Sequence, residues 1–310
     1  MSSSAVLTIV RTKAAPGPGP LPDALLRAMD IDIGRRVSGL LQGDYRSSRL
    51  GAGTELAQIR AYAPGDDVRQ MEWNVTARTG QPHVRVQVAK RVLTTWLLLD
   101  TSPSMAFGTA DRRKCDVAEG VAMALGHISS RRGNRVGAIT FGDATPRTIP
   151  PAQGRVGLLG VLSALHEQTD RPVAGATSLG EAIGRINRFS GWSRLIAIVS
   201  DFRGPRDWRV PLLELAGRHQ VLAIEVRDPR EQELPAMGEL WLVDPETGRQ
   251  LRVDTSRKKL RDRFAEAAAK DRAEVAALIA ETGARHVVLS TAGDWLKTFV
   301  AAVAKKGAYR

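Results

Sequence analysis

From Val92 onward the apolar positions fall into short continuous runs, separated by stretches that repeat every three to four residues. Val92–Leu99, apolar but for Thr94 and Thr95, reads as a continuous strand covered on both faces. Asp116–Ile128 carries Val117, Val121, Ala124, Leu125 and Ile128 on one helical face. Arg135–Phe141, Leu195–Val199, Val221–Val226 and His286–Ser290 predict further strands. Val156–Leu165, Leu179–Ile186, Leu212–Ala216, Arg257–Glu281 and Trp295–Ala304 predict helices, with Gly283 as the C-terminal stop of the long one. Glu239–Val253 reads as a β-hairpin about the turn Pro245-Glu246-Thr247-Gly248. Apolar strands alternating with amphipathic helices imply an α/β fold, a mostly parallel central sheet flanked by helices.

The first 90 residues lack that alternation. Residues 1–22 end in alternating Pro and Gly, which sustain neither helix nor ladder, and predict a flexible tail. Pro22 suits the first turn of a short helix, with Leu25, Leu26 and Met29 on one face. Leu50–Val88 is polar with scattered apolar residues. It reads as an irregular segment with short strands such as His83–Val88, punctuated by turns at Pro64-Gly65-Asp66-Asp67 and Thr79-Gly80. The expected organisation is a tail (1–22), an N-terminal segment (23–90) and an α/β domain (91–310).

Composition narrows the class. Apolar residues make up 43% and charged residues 25% of 310, which excludes a wholly disordered chain. One cysteine, Cys115, allows no internal disulfide and no thiolate-clustered metal site, and predicts a reducing compartment. No apolar stretch reaches membrane-span length, and Arg11 and Lys13 follow rather than precede the short run Ala5–Val10, so a cytoplasmic protein is expected. The net charge of +12 is spread along the chain and leaves peripheral membrane contact open.

In open parallel sheets ligands gather at the carboxyl ends of strands. After the first run comes Asp100-Thr101-Ser102-Pro103-Ser104, a carboxylate and two hydroxyls on alternate residues of a tight loop. Asp201 follows the Leu195–Val199 run, and Thr177 precedes a helix in a Gly-containing loop. Such oxygens can converge on one hard cation; each taken alone can equally be a turn or helix cap.

The order Asp100-x-Ser102-x-Ser104, then Thr177, then Asp201 resembles the metal-ion-dependent adhesion site (MIDAS) of the von Willebrand factor type A (vWA) fold, a Rossmann-like α/β architecture. The resemblance covers residues 91–310. It implies that these five residues surround Mg²⁺, with Mn²⁺ or Ca²⁺ as alternatives, and that a partner protein's carboxylate can complete the shell.

A second block, Arg60-Ala61-Tyr62-Ala63-Pro64-Gly65-Asp66-Asp67-Val68-Arg69-Gln70-Met71-Glu72-Trp73 with Ala77-Arg78-Thr79-Gly80, resembles the signature preceding the vWA domain in a bacterial family known as "domain of unknown function fifty-eight". Met71 and Glu72 replace the usual Ile and Asp. The resemblance implies a chaperone-like or maturation role beside a MoxR-type AAA+ ATPase, acting on an unidentified client protein. Physically, Asp66, Asp67, Arg69, Glu72 and Arg78 are spaced for a local ion-pair network around a turn, with Tyr62 and Trp73 as anchors. Two roles fit Arg60, Tyr62, Asp66, Asp67, Arg69, Glu72, Trp73 and Arg78: a clamp fixing this segment, or a partner-docking surface, since Arg and Trp are common interface hot spots.

A metal-dependent protein-binding module without catalysis is the expected function. A metal-dependent hydrolase is the alternative, because an oxygen cage can activate water. Against it, the five histidines are scattered at positions 83, 127, 166, 219 and 286 outside any motif. A basic nucleic-acid binder is a further alternative, but aromatics are only 5% and no recognition motif is present, so no DNA partner is expected. Gly154-Arg155-Val156-Gly157 lacks the phosphate-loop pattern, so ATP use is expected only of a partner chain. Cys115, near a helix start, is expected to be inert rather than reactive.

Overall fold

The computed structural model describes residues 17–22, 24–27, 55–88, 94–131, 133–142, 146–168, 178–188, 195–243 and 250–304. The chain divides into two compact units, Ser38–Val92 and the remainder.

The larger unit is built on a six-stranded sheet. Its strands are β3 (Thr94–Asp100), β4 (Arg135–Phe141), β5 (Thr148–Gln153), β6 (Leu195–Ser200), β7 (Gln220–Arg227) and β10 (Arg285–Ser290), in the order β10-β7-β6-β3-β4-β5. All neighbours are parallel except β5, which runs antiparallel to β4 at the edge. The chain moves from β3 to β4 on one side and later to β6 on the other. The reversal point therefore lies between β3 and β6, where such sheets open a crevice for ligands.

The period-2 rule explains how continuous apolar strands serve two faces. Leu97 and Leu99 point to one face, with Ala197, Val199, Ile224, Val287 and Leu289. Helices α2 (Lys114–Arg131), α3 (Gly154–Gln168) and α7 (Trp295–Ala304) cover that face through residues such as Val121, Leu125, Val161, Trp295 and Phe299. Trp96 and Leu98 point to the other, with Ile196, Ile198 and Ala223. Helices α4 (Leu179–Asn187), α5 (Arg209–Ala216) and α6 (Lys258–Glu281) cover it through Ile183, Leu212 and Ile279 among others. Leu97, Leu98 and Leu99 are wholly buried. Gly283 follows α6 with φ +76°, the left-handed stop expected there. Strands β8 (Glu239–Val243) and β9 (Gln250–Asp254) form the expected antiparallel hairpin as a separate two-stranded sheet. Its expected turn, 245–248, lies outside the described residues.

Three features differ from the sequence expectation. Strand β5 was not anticipated. Its sequence, Thr-Ile-Pro-Pro-Ala-Gln, reads as a loop, but proline is tolerated on an edge strand, where no further ladder bond is needed. The tail does not extend to residue 22. The Pro18 carbonyl accepts hydrogen bonds from Trp295 Nε1 at 2.9 Å and Arg112 at 3.2 Å, and Leu21, Leu25 and Leu26 pack on the core beside α2 and α7. The Leu25 and Leu26 amides bond back to the Pro22 carbonyl as the opening of the expected helix; Met29 is outside the described residues.

The smaller unit holds the short strand expected at His83–Val88 and, beyond it, a partner strand and a helix that the sequence did not signal. Among its described residues, β1 (Glu55–Ala61) pairs antiparallel with β2 (His83–Val88), and a short helix α1 (Trp73–Thr79) lies between them in sequence. A register shift between Leu56 and Gln58 adds a residue to β1. That bulge breaks the strict alternation by which a strand is read from sequence.

Candidate metal centre

Asp100 and Asp201 straddle the reversal point, at the ends of adjacent parallel strands β3 and β6. The loop after β3 is tied down first by Thr101, whose amide and hydroxyl both donate to the Phe141 carbonyl at 2.8 Å. Ser102 then precedes a 3-10 turn, Pro103–Ala106, that starts with the proline suited to such a position. The Ser102 amide donates to Asp100 Oδ1 at 2.9 Å. Ser102 Oγ and Ser104 Oγ lie 3.0 Å apart.

From the β6 side, Ser200 Oγ donates to Asp100 Oδ2 at 2.5 Å and accepts from the Phe202 amide at 3.0 Å. Phe202 turns the chain with φ +54°, unusual for a side-chain-bearing residue. It is held by burial against Trp208, ring centroids 5.5 Å apart and edge to face. Asp201 Oδ1 accepts from the Arg203 amide at 3.1 Å, and Ser104 hydrogen-bonds the Asp201 carboxylate. Asp100, Ser102, Ser104 and Asp201 are thus brought together at one sheet edge. Thr177 lies outside the described residues.

Four neighbours escaped the sequence reading. Lys114 is wholly buried, and its ammonium lies 2.6 Å from Asp201 Oδ2 and 2.7 Å from Glu231 Oε1. The signal for it was present: Lys114 occupies the stripe of Val117, Ala118 and Val121 on α2, where a lysine must be paired. Glu231, in the turn after β7, had no such signal. Ser200 was passed over as the last residue of β6, between the apolar run and Asp201. Gly142 follows β4 with φ +91°, and a Cβ there would come within 2.6 Å of the Ser102 amide nitrogen and 2.9 Å of Asp100 Oδ1.

Electrostatics separates the two aspartates. Burial, and then the neighbouring Asp201 charge, push the Asp100 carboxyl up to about 6, against the hydrogen bonds it accepts. Burial also acts to raise Asp201, but the Lys114 ammonium and the bonds from Lys114 and Ser104 outweigh it and hold Asp201 below the usual carboxylate range. Lys114 loses by burial and gains more from Asp201 and Glu231, so it stays protonated.

These residues fit a hard cation. Octahedral oxygens about 2.1 Å from Mg²⁺ lie about 3.0 Å from their neighbours on the same edge, the spacing of the two serine hydroxyls. No group of three His, Cys, Asp or Glu side chains suited to a metal occurs among the described residues, so a cation here must be held largely by hydroxyls and two carboxylates.

The segment of residues 60–78 is assembled differently. Arg60 holds Asp66 with two bonds of 2.7 and 2.6 Å, and Asp66 also accepts from the Ala63 amide. Asp67 caps a 3-10 turn by accepting from the Arg69 amide at 2.9 Å. Glu72 is buried and pairs with Arg85 of β2, a partner outside the predicted block. Tyr62 is half-buried, Arg69 and Arg78 are exposed, and Trp73 is 68% exposed. Of the five charges expected to pair with one another, Asp66 and Glu72 instead take partners outside that set, Arg60 and Arg85. Cys115 is half-buried, its thiol pushed up to about 11 by burial and by Asp116, which suits an inert role.

The family model described as "Protein of unknown function DUF58" matches residues 58–274. The chain belongs to the DUF58 family. Similar relatives of this DUF58 protein include Mb1516 of Mycobacterium bovis and Rv1480 of Mycobacterium tuberculosis. Each is 41% identical over 285 residues, covering 91% of this chain and 89% of the relative. Among solved structures, BatB of Bacteroides thetaiotaomicron matches with a TM-score of 0.44 and 19% identity, over 68% of this chain and 97% of BatB. The SpRpn10 VWA domain matches at 0.37 and 16%, over 68% and 94%. No helix among the described residues is long and apolar enough to cross a membrane.

Proposed function

We propose that this DUF58 protein is a non-catalytic protein-binding module that uses a divalent cation, Mg²⁺ or else Mn²⁺ or Ca²⁺, to recognise a carboxylate on a partner. The observation that carries the proposal is the convergence of Asp100, Ser102, Ser104 and Asp201 at the reversal point of the sheet. Asp100 and the two serines would hold the ion from the β3 loop, with Asp201 on the β6 side and Thr177 as the fifth residue of the motif. When bound, the cation supplies positive charge at the sheet edge for an incoming carboxylate. The protein's own part is to keep the hydroxyls adjacent and the carboxylates fixed, through Ser200, Thr101 and the Ser102 amide. The partner class is a MoxR-type AAA+ ATPase acting with a client protein, a reading supported by the resemblance of the segment at 60–80 and of the motif.

Calorimetric titration of Mg²⁺ and Mn²⁺ into wild type and Asp100→Ala tests the metal. Binding in wild type that vanishes in the variant is the expected result; equal heats in both would sink the assignment. A pull-down with a MoxR-type ATPase in metal and in chelator tests the recognition step, with capture lost in chelator.

A further inference from the structure

The adhesion-type motif leaves charged groups at the site unused, the most deeply buried of them Lys114. Lys114 opens α2 and is wholly buried, with its ammonium on Asp201 Oδ2 at 2.6 Å and on Glu231 Oε1 at 2.7 Å. A buried ammonium persists only where carboxylates are placed to receive it. Here they are placed firmly. Asp201 Oδ1 is held by the Arg203 amide, and Glu231 Oε1 also accepts from the Arg203 guanidinium at 3.1 Å. Glu231 Oε2 accepts from the Asp228 amide at 3.2 Å, closing a capping box in the turn after β7. The ammonium is therefore fixed from α2, from the β6 loop and from the β7 turn together. It lies against the same carboxylate that the metal motif needs.

We propose that Lys114 is a resident cation of this site. It is a positioning residue that occupies Asp201 Oδ2 and thereby sets how tightly a divalent ion is held. The inference rests on the metal reading above. Asp100, Asp201 and Glu231 carry the negative charge of this edge, and Lys114 with Arg203 offsets most of it. With the ammonium in place, a divalent ion is held loosely and keeps excess positive charge, which is what attracts a partner's carboxylate. Without the ammonium the same carboxylates neutralise the ion, so metal binding tightens. Glu231 acts with the opposite sign, since it draws the ammonium toward itself and adds negative charge.

Mn²⁺ titration, read by calorimetry and by the electron paramagnetic resonance signal of free Mn²⁺, tests this on four proteins. They are wild type, Lys114→Met, Glu231→Gln, and the double variant. Lys114→Met is expected to bind at least about tenfold tighter than wild type, a modest share of the interaction between charges so close. Glu231→Gln is expected to bind several-fold weaker. Lys114→Met leaves Asp201 without a cation and Glu231 with Arg203 alone, and can fail to fold. The double variant removes the Glu231 charge as well, and its comparison with Glu231→Gln measures the same removal of the ammonium. A merely structural lysine predicts weaker or unchanged affinity on its removal. Wild-type binding with no gain in the Lys114 variants overturns this inference and leaves the metal reading standing. Binding that emerges only when Lys114 is removed supports the inference. No Mn²⁺ binding in any of the four overturns both.

Discussion

The larger unit holds solvent-exposed ion pairs such as Arg209–Glu281, but it also holds a kind that the pairs described in the smaller unit do not match. In the smaller one, Arg60–Asp66 and Glu72–Arg85 lie along a strand and its turn, and each arginine keeps a third or more of its side chain in water. In the larger one, Lys114 is sealed between Asp201 and Glu231 with no exposure. Water screens the first kind, so it directs local geometry more than stability. The second kind has no solvent to fall back on, and losing one member leaves an unpaired charge in the interior. The same residue types therefore mark a surface turn in one place and a charge-tuned site in the other. The decisive variable is solvation.

The sharpest way to break this comparison is to delete the buried charge. Lys114→Ala is expected to cost about 3–5 kcal/mol, read by chemical denaturation, because buried Asp201 is left without a cation and Glu231 keeps only Arg203. A cost near zero would mean that water reaches the site and that the contrast between the units is false.

Asp228 sharpens the point with a buried carboxylate that needs no cation. It accepts from Thr109 at its amide and hydroxyl, from the Thr291 hydroxyl and from the Arg230 amide, tying the turn after β7 to the loops after β3 and β10. Burial acts to raise its pKa, but these bonds outweigh burial and hold the carboxyl below its usual range. A lowered native pKa contributes stability that is present above the unfolded value, about 3.9, and lost as pH falls through the native one. Asp228→Asn is accordingly expected to cost about 2–3 kcal/mol at pH 7, since the amide presents donors to donors. Melts between pH 7 and pH 3 should show that deficit shrinking below about pH 4.

The smallest expected effect lies in the smaller unit. Trp73→Ala should barely change the melting temperature, because the indole is 68% exposed. If binding to a MoxR-type ATPase falls in the same variant, the segment is a docking surface. A marked loss of thermal stability would instead restore the clamp.

Much of the larger unit was legible because burial on both sheet faces leaves a one-dimensional trace. The run at 92–99 became β3, Arg135–Phe141 became β4 at the same residues, and the helix expected over 257–281 became α6. Strand β5 left no such trace, since Pro150 and Pro151 are acceptable only because nothing pairs beyond them. Strand β1 was hidden by its own bulge. At the site, Asp100, Ser102, Ser104 and Asp201 were legible from order and from their places after apolar runs. Lys114 was half-legible, as a charge on an apolar stripe.

The sequence by itself determined the alternation of strands and helices, the carboxylate and hydroxyls at the end of β3, and the carboxylate after β6. These follow from local periodicity and from residues close together along the chain. Only the tertiary structure decided that β6 lies beside β3, so that Asp201 meets Asp100. It also decided that Lys114, Ser200, Gly142 and Glu231 close around them. Strand order and solvent exclusion depend on how distant segments pack, and a pairing between positions 114, 201 and 231 leaves no local pattern to read.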